Sequence, residues 1–285
     1  MGSSEHRGCH LAWEVSGEGP PVLLVQGVGA PGATWRPQVE ALQAGWRCLR
    51  FDNRGLGASQ PAGAAISVEQ MAEDALALMD AQGWDSAHLV GHSLGGLVVQ
   101  HLALVARARA RSLALLCTFA RGREVTRLTP RMLWLGTRAR VGTRGMRRRA
   151  FLELILPPEL LRGADRDALA ARLGSVFGRD LADQPPVVGA QLEALGRYDA
   201  TPRLGELAGL PTLVVSAAHD PIARPALGRA LAAGIPGARY VELPAASHAV
   251  PVHDPARVNA LLLEHLRAAA AAEPPSPSAA VTSSA

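Results

Sequence analysis

Gly91-His92-Ser93-Leu94-Gly95 is the stretch from which the fold is read. It follows the apolar run Ala87 to Val90 and leads into Gly96-Leu97-Val98-Val99, which continues as a helical pattern. Strand, G-x-S-x-G, helix is the context a nucleophile elbow requires. The turn is so tight that Cβ-bearing neighbours would clash, so glycines flank the serine on both sides. It lifts the hydroxyl clear of the backbone and aims the first helical N–H groups at whatever the serine attacks. The motif alone recurs by chance; the strand before it and the helix after it give it weight.

A serine hydroxyl is a poor nucleophile near neutral pH. It needs a base, and the base needs an orienting carboxylate. Downstream, Pro211-Thr212-Leu213-Val214-Val215-Ser216 reads as a buried strand that ends at Ala218-His219-Asp220-Pro221. After a helical stretch comes a second strand, Arg239 to Leu243, ending in Pro244-Ala245-Ala246-Ser247-His248. Asp220 and His248 therefore lie just past the carboxyl ends of successive strands, the edge where open α/β sheets place their sites. Ser93, Asp220 and His248 are the candidate catalytic residues. Asp220 has no rival after the strand ending at Cys117, where no acid follows.

Working outward, His10 to Val15, then Gly17-Glu18-Gly19, then Val22 to Val25 read as strand, turn, strand. Helices follow near Thr34–Ala44 and Val68–Gln82, with strands near Arg47–Phe51 and Ser112–Cys117 around the elbow. Such alternation of short apolar strands with helices predicts an α/β fold, a mostly parallel sheet flanked by helices. The alternation stops at about Thr118 and resumes at about Pro211. Residues 1–118 and 211–272 are the expected core, and 119–210 an inserted helical cap. Residues 273–285 are rich in Pro, Ser and Ala and are expected to be a disordered tail.

The chain resembles the α/β-hydrolase fold superfamily over almost its full length. The elbow carries the resemblance together with Leu23-Leu24-Val25-Gln26-Gly27-Val28-Gly29, the turn Phe51-Asp52-Asn53-Arg54-Gly55-Leu56-Gly57-Ala58-Ser59, and the Asp220 and His248 loops. It implies a serine hydrolase acting on a small-molecule carboxylic ester or lactone through an acyl-enzyme, with no cofactor and no metal. It also implies an oxyanion hole made by the backbone N–H groups of Val28 and Leu94. The family usually carries His-Gly where this chain has Gln26-Gly27, which changes the side chain beneath that hole. Trp35, Phe119 and Trp134 are candidates to line the pocket. Carbon–carbon bond hydrolases, acyltransferases and perhydrolases use the same triad and stay open. Relatives that attack with an aspartate do not fit a serine at position 93. A binding protein that had lost the chemistry would lack a triad member, and all three are present.

Gly27-Val28-Gly29-Ala30-Pro31-Gly32 also satisfies G-x-G-x-x-G after a strand, and Asp52 ends the next strand. A dinucleotide-binding oxidoreductase is therefore a remote alternative. It leaves the Ser93, Asp220 and His248 loops unexplained.

The 285 residues are 48% hydrophobic and 19% charged, a globular composition that allows one or two domains. All 29 basic residues are arginine, and the formal charge of +4 is too modest to call for nucleic acid. Cys9, Cys48 and Cys117 match no zinc or redox spacing, and the N-terminus lacks a signal-peptide apolar region. No run reaches membrane-spanning length. A cytoplasmic protein is expected; the oligomeric state is not legible. Arg127, Arg131, Arg138, Arg140, Arg144, Arg147, Arg148 and Arg149 form a run without an acid. This reads as a solvated helix face, with Leu128, Met132, Leu133, Leu135 and Met146 inward and Glu153, Glu159, Asp165 or Asp167 as partners. The competing reading is a cationic lid for anionic substrates or membranes. His92 is expected to pack or hydrogen-bond locally, Asp52 and Arg54 to fix their loop, and Asp254 to cap the helix begun by Pro255. His10, His88, His101 and His265 are scattered and suggest no metal cluster.

Overall fold

A computed structural model of the chain describes residues 1–126 and 130–272. Arg127, Leu128 and the expected tail lie outside the described residues. The first half runs β1 (Gly2–His6), β2 (Cys9–Ser16), β3 (Pro21–Val25), α1 (Arg36–Leu42), β4 (Arg47–Phe51), α2 (Val68–Ala81), β5 (Ala87–His92), α3 (Leu94–Val105) and β6 (Ala110–Leu116). Six helices follow before the sheet resumes: α4 (Arg123–Thr126), α5 (Pro130–Arg138), α6 (Arg144–Ile155), α7 (Pro158–Leu161), α8 (Arg166–Phe177) and α9 (Val188–Arg197). The chain closes with β7 (Thr212–Ala217), α10 (Pro225–Gly234), β8 (Arg239–Leu243), α11 (Val250–His253) and α12 (Pro255–Ala271).

The eight strands lie in the order β1-β2-β4-β3-β5-β6-β7-β8. The pairings of β1 with β2 and of β2 with β4 are antiparallel; all others are parallel. Strands β5 and β7 are buried at every residue, as a sheet covered on both faces demands. Helix α2 shows how the covering layer is specified. Its buried Val68, Met71, Ala72, Ala75, Leu78 and Met79 repeat at helical spacing, and Ser67 Oγ caps it by accepting from Gln70 N at 3.0 Å.

The strand, turn, strand read at the N-terminus is present as β2 and β3. β2 and β3 are consecutive but not paired, because β4 lies between them. β1 was not expected from its polar, small residues; it hairpins onto β2 through Arg7 (φ 47°) and Gly8 (φ 73°), a two-residue turn with both φ values positive. The Asp254 cap also fails: Asp254 precedes Pro255, but its carboxylate makes no capping bond and lies 3.5 Å from Arg257 Nε.

A buried ion pair ties β1, α2 and the loop after β4 together. Arg54 and Asp74 are both essentially unexposed and bond in bidentate fashion, at 2.6 and 2.5 Å. Arg54 also donates to the Ala62 carbonyl at 2.7 Å, while Gln70 and His6 reach Asp74 Oδ1 at 3.2 and 2.7 Å. Removing the carboxylate strands a guanidinium in the core. Asp74→Ala should therefore lose about 3–5 kcal/mol in urea unfolding, and a loss under about 1 kcal/mol would refute this account.

Burial pushes His88, bonded to Ser112 Oγ at 2.8 Å, down to about 4, and pushes His265 down to about 4 as well. The folded state keeps both neutral, whereas the unfolded chain protonates them near pH 6.5. Their contribution to stability is thus present above that pH and is lost as pH falls toward 4. Unfolding free energy should fall between pH 6.5 and 5, and a His88→Gln/His265→Gln double variant should flatten that slope.

Candidate active site

β5 ends at His92 and α3 begins at Leu94, so Ser93 makes the whole turn, at φ 54° and ψ −118°. Glycine surrounds it for steric reasons. A Cβ on Gly91 would overlap the Gly95 carbonyl, and one on Gly95 would overlap that of Val25. The turn is pinned by Ser93 N donating to Leu116 O (3.0 Å) and by Thr118 Oγ1 and Gly96 N donating to Ser93 O (2.7 and 2.9 Å).

Asp220, past β7, and His248, past β8, come to Ser93 as one hydrogen-bonded chain. His248 Nε2 lies 3.1 Å from Ser93 Oγ, and its Nδ1 lies 2.7 Å from Asp220 Oδ2. The other carboxylate oxygen accepts from the amides of Ile222 and Ala223 at 2.8 and 2.9 Å, which fixes the buried acid's orientation. The His248 loop is braced from three sides. Ser247 N donates to His253 Nε2 (3.2 Å), Ser247 Oγ donates to His219 O (3.1 Å), and Ala249 N donates to Ile155 O of the inserted helices (2.9 Å). Past β6, where some α/β hydrolases place their acid, stands Cys117; burial, then the neighbouring Asp220, push its thiol well above the ordinary range.

Gln26, the departure from the family pattern, accepts from its neighbour's amide, Gly27 N, at 3.0 Å and faces His92 Nδ1 at 3.1 Å. His92 does not pack merely locally: its Nε2 donates to the backbone carbonyl of His248 at 2.8 Å. Burial, then the adjacent His248, push His92 down to about 3, so it stays neutral. The loop after β3 is held from the inserted helices too, by Gly29 N donating to Gln191 Oε1 (2.8 Å) and Arg179 donating to Gly29 O (3.1 Å). Gly27, Gly29 and Ala30 thus all spend their amides within the protein. Among the described residues the Val28 and Leu94 amides have no acceptor.

The three aromatic candidates are not gathered together. Trp35 is buried edge-on to His92, with ring centroids 6.5 Å apart, and Phe119 is buried in the core. Trp134 is 56% exposed, with the Arg138 guanidinium 5.5 Å from its ring centre. His219 is partly exposed, 3.7 Å from Glu159. Asp52 accepts from Gly32 N at 2.7 Å and from Ala58 N at 3.0 Å, one bond on each carboxylate oxygen, and so fixes its loop as expected. Among the described residues no group of three or more His, Cys, Asp or Glu could hold a metal, and no helix is long and apolar enough to cross a membrane.

The family model for the alpha/beta hydrolase fold matches residues 20–255, and the chain belongs to that family of hydrolases. It is 31% identical over 258 residues to a protein of Azorhizobium caulinodans named as a candidate carbamate hydrolase, RutD, covering 89% of this chain and 93% of the relative. Among solved structures it is similar to the enol-lactonase from Burkholderia xenovorans LB400 (29% identity, TM-score 0.77, 93% of this chain and 99% of the other). It is equally similar to a thermophilic esterase from Thermogutta terrifontis (29% identity, TM-score 0.75, 92% and 94%). Gln191 and Arg179 had no signal in the sequence, since each acts on a loop distant along the chain, and the bond from Ser247 to His253 carried none either; Gln26 stood out, as a departure.

Gly27 has little room for a side chain: an added Cβ would stand 3.0 Å from Ser93 Cβ and 3.4 Å from His92 Nδ1. Gly27→Val should displace the Val28 amide and lower kcat by about a hundred- to a thousand-fold, with KM little changed. Steady-state kinetics on a short acyl ester decide it; a rise in KM with kcat intact would count against this role.

Proposed function

We propose that the chain hydrolyses a small-molecule carboxylic ester or lactone through an acyl-enzyme on Ser93, His248 and Asp220. The observation that carries this reading is the unbroken chain from Ser93 Oγ through His248 to Asp220, at 3.1 and 2.7 Å. Ser93 Oγ attacks the carbonyl carbon while His248 Nε2 takes its proton. Asp220, bonded to Nδ1, fixes the tautomer and stabilises the imidazolium. The negative charge that develops on the carbonyl oxygen is received by the Val28 and Leu94 amides, which have no acceptor among the described residues, while those of Gly27, Gly29 and Ser93 are engaged. The tetrahedral adduct collapses as His248 returns the proton to the departing alkoxide; in a lactone the alcohol stays tethered to the acyl group. Water, deprotonated by His248, then attacks the acyl-enzyme, and Ser93 leaves with the proton restored.

The similarity to an enol-lactonase and an esterase supports an oxygen ester over a carbon–carbon bond. The similarity to a candidate carbamate hydrolase keeps a carbamate as the second reading, since its carbonyl is open to the same attack.

Ser93→Ala should cut turnover of p-nitrophenyl esters by about four to six orders of magnitude and abolish fluorophosphonate labelling. Labelling that persists on another serine would sink the assignment. Asp220→Asn should lose orders of magnitude in kcat with the fold intact. Lactones and carbamates assayed beside the esters separate the substrate classes.

A further inference from the structure

Of the arginine run, Arg144, Arg148 and Arg149 meet acids. Arg144 reaches Asp180 and Asp183, each at 2.7 Å; Arg148 pairs with Asp180, and Arg149 lies 3.9 Å from Asp167. These pairings correct the expected set. Glu153 and Glu159 serve Arg166 and Arg162 instead, and Asp165 caps α8. Leu133 is also exposed, where an inward position was expected, while Leu135 is buried as expected. Arg138 covers Trp134. Arg140 and Arg147 have no acidic partner among the described residues.

Those two line one cleft of about 430 Å³, between the α5–α6 turn and the segment that enters α9. Its third long polar side chain is Gln184, and no aspartate or glutamate is among its lining residues. Arg147 Nε and Gln184 Nε2 are both buried there without a hydrogen-bond acceptor. Asp183, the nearest acid along the chain, is committed to Arg144. The cleft therefore presents two guanidinium charges and an amide donor, with no acid among its lining residues to receive them. Buried donors left unpaired carry a desolvation cost that an incoming oxyanion would remove. Guanidinium groups fit phosphate and carboxylate oxygens with paired, charge-assisted bonds. The rest of the wall is apolar, with Ala139, Pro185 and Val188.

We propose that this cleft is a second binding site, separate from Ser93, for a small organic anion. Arg140, Arg147 and Gln184 receive its phosphate or carboxylate head, and its apolar body lies on Ala139, Pro185 and Val188. Val188 also packs on the loop after β3: a Cβ on Gly29 would stand 2.9 Å from its Cγ2. The site thus lies one side chain behind the loop that carries Val28.

Calorimetric titration of the full chain at constant ionic strength tests this, with phenyl phosphate and benzoate as probes and benzyl alcohol as the neutral control. At least one anion should bind saturably below about 10 mM while benzyl alcohol does not, and which anion binds identifies the head group. Affinity should drop at least about ten-fold in Arg147→Gln, in Arg140→Gln and in Gln184→Glu. Binding should survive in Ser93→Ala, and the arginine variants should keep turnover of p-nitrophenyl acetate within about two-fold. No saturable binding of either anion would overturn the proposal, as would equal affinity in the variants or binding that competes with the ester. Because titration does not depend on turnover, its failure is distinguishable from failure of the esterase reading.

Discussion

Ser93 is held at φ 54° and ψ −118°, a conformation in which a non-glycine residue rarely rests. Such a residue costs on the order of 1–3 kcal/mol and persists only where its surroundings over-determine it. Here they do. The Leu116 carbonyl takes its amide, Thr118 and Gly96 take its carbonyl, and Gly91 and Gly95 allow backbone to approach backbone where any Cβ would collide. Both strand partners of β5 contribute, since Val25 ends β3 and Leu116 ends β6. The strained turn is thus a property of three adjacent parallel strands, and the positions of the Ser93 hydroxyl and the Leu94 amide follow from it.

The inserted helices do more than lie beside the sheet. Gln191 and Arg179 hold the loop after β3, and the Ile155 carbonyl takes the amide of Ala249 next to His248. Ala30 and Ala249, from the two core loops nearest Ser93, share an apolar cluster with Leu152, Leu156, Leu173 and Phe177 of the insertion. His92 adds a link within the core, joining the elbow to the backbone of the His248 loop and to Gln26. The insertion therefore holds the loops around Ser93 through the specific hydrogen bonds of Gln191, Arg179 and Ile155, and not merely by surface contact.

Part of the arginine charge is met by acids. The guanidinium groups of Arg148 and Arg144 hold the Asp180 carboxyl far below the usual carboxylate range, and in turn raise their own affinity for protons. Deeper in the protein, Arg54 is accepted only because Asp74 meets it in bidentate fashion. The cleft at Arg140 and Arg147 brings two arginines together with no acid in its lining.

The sequence by itself determined the α/β class, the elbow, and the two loops that bring Asp220 and His248 to the same sheet edge. Each is a local signal: an apolar run that must become a buried strand, followed by glycine, proline or aspartate where the strand must stop. The helices at 68–81 and around the elbow were legible for the same reason, through hydrophobic spacing. Only the tertiary structure decided that β4 separates β2 from β3, because strand pairing is settled by which faces cover one another and not by order along the chain. It alone showed that Asp180 and Asp183, about 30 residues beyond the arginine run, neutralise part of it, and that Gln191 secures Gly29 across 162 positions. Hydrogen bonds and ion pairs of this kind depend on side-chain reach across packed elements, and no pattern of neighbouring residues encodes that distance.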